Sequence, residues 1–190
     1  MSERIERRTV LAQIAAAALT GPLGIAQAQH VHQETAAAKN NGVYQPKALT
    51  RHEYSTLHGL CEMIVPGASK GGATEFIDLL SSQNPQMLAI YSGGLAWLDD
   101  YARSQYGANF SALSAQDSTA ILDKIAYKKN ETPEVAAGIR FFAWVRRMTV
   151  DAYYSSAVGI RELGFMGNKF VKEFAVPQDT VELAVKRSAL

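Results

Sequence analysis

The chain is poor in cysteine. Cys61 stands alone among 190 residues, so no disulfide can form within the chain and stability has to come from packing. Neither sign of charge is in excess: 19 Lys and Arg face 18 Asp and Glu, a formal charge of +1. With no sustained basic stripe there is no electrostatic footprint for nucleic acid, and direct binding to anionic lipid has no basis either. The catalytic signatures are missing as well. There is no Gly-x-Gly-x-x-Gly after a strand, no Gly-x-Ser-x-Gly elbow and no His-Glu-x-x-His helix. A single cysteine also excludes Cys-x-x-Cys, and with it c-type haem attachment or a thiolate-held iron–sulfur cluster. No catalytic, cofactor-binding or metal-ligating residue is therefore expected in this chain.

What is present begins with a leader. Arg4, Arg7 and Arg8 give a positive start, an alanine-rich run from Val10 to Leu19 follows, and Gly21-Pro22 breaks it. Ala26-Gln27-Ala28 is a small-x-small cleavage site, which predicts a signal peptide over 1–28 and a mature start at Gln29. The apolar run is too short to remain as a membrane span. Glu6-Arg7-Arg8-Thr9-Val10-Leu11 resembles the twin-arginine motif, although Val10 stands where that motif prefers phenylalanine and Ala12 where it prefers lysine. An ordinary secretory signal containing Arg-Arg is the rival reading, and the low hydrophobicity of the alanine run counts against it. The implied location is the periplasm. Removing the leader, with three arginines and two glutamates, brings the formal charge to zero.

Apolar residues make up 47% of the chain and charged ones 19%, a globular balance that argues against a disordered or fibrous protein. Residues 29–48 lack an apolar period and are read as a flexible tether, with His30-Val31-His32 as solvated residues. Helices are expected next. Thr50 and Glu53 have capping-box spacing, followed by Tyr54, Leu57, Leu60, Cys61 and Ile64 at helical intervals up to Pro66-Gly67. A short helix over Ala73–Ser81 places Phe76, Ile77 and Leu80 inward. Asn84-Pro85 opens a longer one, closed by Gly107, whose Gly93-Gly94 pair each costs about 1 kcal/mol relative to alanine. Close approach of another backbone would account for that cost. Ser114 caps a fourth helix carrying Ile121, Leu122 and Ile125, and Pro133 starts a fifth carrying Val135, Ile139, Phe142, Val145, Met148, Thr149 and Ala152. The expected fold is an all-α bundle of about five helices.

From Tyr153 to Asn168 the chain turns rich in glycine and aromatics, and is read as an ordered loop folded back over the bundle. The domain is placed at 49–175, and the tail, 176–190, can add an amphipathic turn or more. Other polar groups are read as unremarkable: His52 and His58 lie on different faces, and the adjacent Asp99-Asp100 and Arg146-Arg147 diverge, so the carboxylates belong to a solvated face. Cys61 is either a buried, inert thiol or one half of a disulfide to another chain.

Several segments together resemble the gluconate 2-dehydrogenase subunit 3 family. They are Leu57–Pro66, Thr74-Glu75-Phe76-Ile77-Asp78, the Tyr91–Gly107 helix, Phe110-Ser111-Ala112-Leu113, Phe141-Phe142 through Met148-Thr149, and Tyr153–Asn168. The resemblance implies a non-catalytic small subunit of a membrane-associated dehydrogenase complex. In such a complex a large glucose–methanol–choline-type subunit binds FAD and oxidises a sugar or sugar acid, and a cytochrome c subunit with haem c carries the electrons onward. The small subunit would hold the flavoprotein and escort it through the twin-arginine translocase, meeting the inner membrane only through its partners. Tyr154, Gly159, Arg161, Gly164, Phe165, Gly167 and Asn168 are the expected partner contacts, since tyrosine and arginine are enriched at hot spots. The rival reading of that segment is a cover for the bundle's own core. The rival reading of the whole is a stand-alone periplasmic helical binding protein.

Overall fold

The computed structural model describes residues 25–40, 44–165, 167 and 176–188. Arg7, Arg8 and Asn168 lie outside the described residues, as do the side chains of Ala26 and Ala28. Among the described residues every regular element is helical: α1 (Ile25–Asn40), α2 (Arg51–Ile64), α3 (Ala73–Gln83), α4 (Pro85–Tyr106), α5 (Ala115–Ile125), α6 (Ala136–Ser155), α7 (Ala157–Glu162) and α8 (Gln178–Ser188), with 3-10 turns at Phe110–Ala112 and Lys128–Asn130. The all-α class is as the sequence predicts. The five expected helices are α2 to α6, and α1, α7 and α8 are added to them.

Local chemistry sets the ends. Thr50 and Glu53 form the reciprocal capping box of α2. Asn84 Oδ1 accepts from the amides of Gln86 and Met87 ahead of Pro85 at the start of α4, and Gly107, at φ 75°, closes that helix. Ser114 caps α5 through the Asp117 amide.

The centre of the bundle is α3. Its residues from Ala73 to Ser81 are all buried, so it has no solvent face. The expectation of one inward stripe is corrected: α1, α2, α4 and α6 all pack on this short helix. Three turns of helix present too little surface to leave one side wet when four neighbours converge on it. Its polar residues are consequently buried as well, and Asp78 among them is held by several hydrogen bonds.

The two longest helices, α4 and α6, lock together through a reciprocal exchange. A Cβ on Gly94 would fall 1.9 Å from Cδ2 of Phe141, and one on Gly138 would fall 2.1 Å from the Trp97 ring. Each glycine makes room for the aromatic residue that stands three positions after the other glycine. The expected backbone approach is therefore an aromatic ring at Gly94. At Gly93 a Cβ would meet nothing within 4 Å.

The segment read as a tether differs most from expectation. Helix α1 buries Val31 and Thr35 on α3 and α6, and His32 Nε2 lies 2.9 Å from Ser155 Oγ with its ring 4.9 Å from that of Phe76. Burial holds the His32 pKa below the ordinary imidazole value, partly offset by the Ala152 backbone. Only His30 of the three matches the solvated reading; it is exposed and 3.7 Å from Glu34.

Candidate partner-binding surface

Carboxylates on buried backbone are the first candidates for chemistry, and here they hold the fold. Asp78, on α3 and fully buried, accepts from the Tyr44 hydroxyl at 2.7 Å and from the amides of Lys47, Ala48 and Leu49 at 2.7, 3.1 and 2.9 Å. It ties down residues 44–49, which deliver Thr50 to its capping position. Burial first, and the Asp78 hydrogen bond second, push the Tyr44 phenol above its ordinary range. Glu62 accepts from the amides of Gly67 and Ser69 at 2.9 and 2.6 Å and shapes the turn between α2 and α3. Burial works against its charge, but the hydrogen bonds from Ser69 and Gly67 outweigh it and lower its pKa.

Asp99 corrects the solvated-face reading. It is buried, with Oδ2 2.5 Å from His52 Nε2 and Oδ1 accepting from the Phe110 amide at 2.9 Å. It joins α2, α4 and the 3-10 turn at Phe110. Asp100 points outward to Arg103, as expected of adjacent helical positions. The sequence missed the His52–Asp99 pair because its partners stand 47 residues apart. Among the described residues no group of three His, Cys, Asp or Glu is placed to hold a metal.

Cys61 is fully buried in the chain. Its Sγ lies 3.3 Å from the Thr149 hydroxyl, and burial pushes the thiol up to about 11 against the hydrogen bonds from Thr149 and Thr74. This corrects the disulfide reading, since a partner's sulfur cannot reach it without opening α2 from α6. Ellman's reagent should leave the native chain unlabelled at neutral pH and modify one thiol in denaturant; prompt labelling of the native chain would contradict this burial.

The segment from Tyr153 to Asn168 is where partner contacts were expected, and the structure sorts those of its residues that it describes. Tyr153 ends in α6, buried; its hydroxyl donates to Glu162 at 2.5 Å, and its ring lies where a Cβ of Gly71 would need to be. Gly159 is buried, because a Cβ there would lie 2.1 Å from the Tyr153 carbonyl oxygen. It serves the chain's own packing, a correction to its place among the contacts. Tyr154 is half-buried edge-to-face against Tyr153. Arg161 is exposed and its Nε donates to the Ala157 carbonyl at 3.0 Å.

The segment read as a loop contains α7. Ser156 caps it through the Gly159 amide at 3.1 Å. Gly164, at φ 64°, ends it: its amide donates to the Arg161 carbonyl at 3.0 Å and the Phe165 amide to the Ile160 carbonyl at 3.2 Å. That pair of bonds is a Schellman closure, which needs a residue tolerant of positive φ. Gly167 also has positive φ. The closure holds up two apolar side chains, Leu163 at 60% and Phe165 at 57% exposed. Leu163 was not among the expected contacts.

A second surface feature lies between α4 and α6, a groove of about 330 Å³ whose lining includes Gly93, Trp97, Arg140 and Trp144. A third, of about 300 Å³, runs past Met63, Tyr127 and Arg146.

The gluconate 2-dehydrogenase subunit 3 family model matches residues 51–172. The chain belongs to that family. It is thereby of the small-subunit type in a multisubunit dehydrogenase complex. No match was found among curated proteins or among solved structures. The family domain starts with α2 and takes in the Leu163–Phe165 tip, while α8 falls outside it. From Val176 to Ser188 every residue is exposed.

Proposed function

We propose that this chain is the non-catalytic small subunit of an exported, FAD-dependent sugar or polyol dehydrogenase complex. It binds the flavoprotein subunit and escorts it through the twin-arginine route to the periplasmic side of the inner membrane. What supports this reading is the family domain at 51–172, with the Arg7-Arg8 pair ahead of it in the sequence. The twin-arginine route accepts folded cargo, which is what a flavoprotein loaded with FAD requires. A cytochrome c subunit with haem c completes the complex and takes the electrons from the flavin.

The apolar tip at Leu163 and Phe165 supports the binding role. It projects two large apolar side chains on a closed, hydrogen-bonded turn, a geometry suited to inserting them into a partner's pocket.

Changing both Arg7 and Arg8 to lysine should strand the partner. Acceptor-dependent dehydrogenase activity and bound flavin should move from the periplasmic to the cytoplasmic fraction almost completely, with the folded chain unaltered. Flavoprotein that still reaches the periplasm would defeat the escort role.

A further inference from the structure

The two glycines at the middle of α4 have different explanations. Gly94 is required by the Phe141 ring, whereas Gly93 is exposed and a Cβ on it would meet nothing. A glycine inside a long helix lowers its stability, and among the described residues nothing packs where a Cβ of Gly93 would be. The position also lines the α4–α6 groove, together with the partly exposed Trp97 and Trp144. An absent side chain in the lining of an aromatic groove lets another backbone come close.

We infer that this groove seats a helix of a companion subunit, which presses its backbone to Gly93, sets a bulky apolar side chain between Trp97 and Trp144, and opposes a carboxylate to Arg140. The occupant's charge follows from the lining, in which Arg140 is the one charged residue. Its side chain is 71% exposed and meets Glu131 of its own chain at 3.9 Å. Tryptophan and arginine are also the residues that carry most energy at interfaces. A second copy of this chain fits poorly. A two-fold pair would set one concave groove against the other and bring two Arg140 side chains together. The groove's volume of about 330 Å³ suits one or two large side chains.

This inference rests on the subunit reading and adds a second contact, on the bundle's side and apart from the Leu163–Phe165 tip. The test is purification of the complex from its own host through a tag on this chain, with wild type, Gly93→Leu and Arg140→Glu compared by native mass spectrometry. Gly93→Leu should lower the proportion of one companion subunit at least tenfold, and Arg140→Glu should lower it too. The melting temperature of the Gly93→Leu chain alone should be no lower than that of wild type, because a Cβ at that position meets nothing within 4 Å and leucine favours helix. Undiminished companion in both variants would overturn the inference. So would a lowered melting temperature in Gly93→Leu, which would make the glycine structural, or a Gly93-dependent dimer of this chain. Wild type purified without any companion would instead overturn the subunit reading, and this inference with it.

Discussion

Replacing Asp78 with alanine should destabilise the folded chain by about 3–5 kcal/mol, because several hydrogen bonds to one buried carboxylate are lost at once. The carboxylate accepts four, from Tyr44, Lys47, Ala48 and Leu49, at a position with no exposed surface. Alanine leaves a buried hydroxyl and the three backbone amides without their acceptor, at about 1–3 kcal/mol for each group that stays dry. The total falls short of four such penalties because residues 44–49 can lift away and regain water. Lifting them has its own consequence: Tyr44 and Leu49 leave the core, and Thr50 loses its fixed approach to α2. A loss of this size is a large share of the 5–15 kcal/mol that holds a typical domain together. Thermal unfolding should shift down by roughly 10 °C or more. Asp78→Asn, which keeps the shape but turns one acceptor into a donor facing a donor, should fall between alanine and wild type. An alanine variant within 1 kcal/mol of wild type in urea unfolding would mean that Asp78 does not hold this segment.

Asp78 also marks the boundary of what could be read in advance. The ends of α2, α4 and α5 were legible because their causes are local: Thr50 with Glu53, Asn84 ahead of Pro85, Gly107, and Ser114. What depends on a distant partner was not. In Thr74-Glu75-Phe76-Ile77-Asp78 the polar residues suggest a wet face, and only the convergence of four helices on α3 buries them. Asp99 was misread for the same reason, with His52 far away in sequence. Helix α1 gave no period because its seat needs few apolar groups; Val31 and Thr35 fit against surfaces supplied by α3 and α6. One long-range feature did leave a sign. Gly94-x-x-Trp97 and Gly138-x-x-Phe141 share a pattern, a glycine three positions before a large ring, which marks two helices that exchange knobs and holes.

The candidate contact segment was found in the right place and for a partly mistaken reason. Its glycines serve the chain's own geometry: Gly159 admits the Tyr153 carbonyl, and Gly164 closes α7. What they leave for a partner is the exposed pair they hold in place, Leu163 and Phe165.

Changing both tip residues to serine should therefore separate binding from folding. The two side chains are 60% and 57% exposed, so their loss removes little from the core, and unfolding should stay within about 0.5 kcal/mol of wild type. If they seat in a pocket of the flavoprotein, each truncation removes an interface contact of hot-spot size, about 2 kcal/mol, or roughly 30-fold in affinity. Retention of the flavin-bearing subunit by the double variant should then fall by two orders of magnitude or more, with this chain still folded and exported. Gly159→Ala is the contrast. Its methyl group has no room beside the Tyr153 carbonyl, which lies 2.1 Å away, so α7 has to shift, and stability and binding should decline together. If the double serine variant keeps its partner while Gly159→Ala loses it, the segment acts by bracing α6 against α7, and the binding surface lies elsewhere on the bundle.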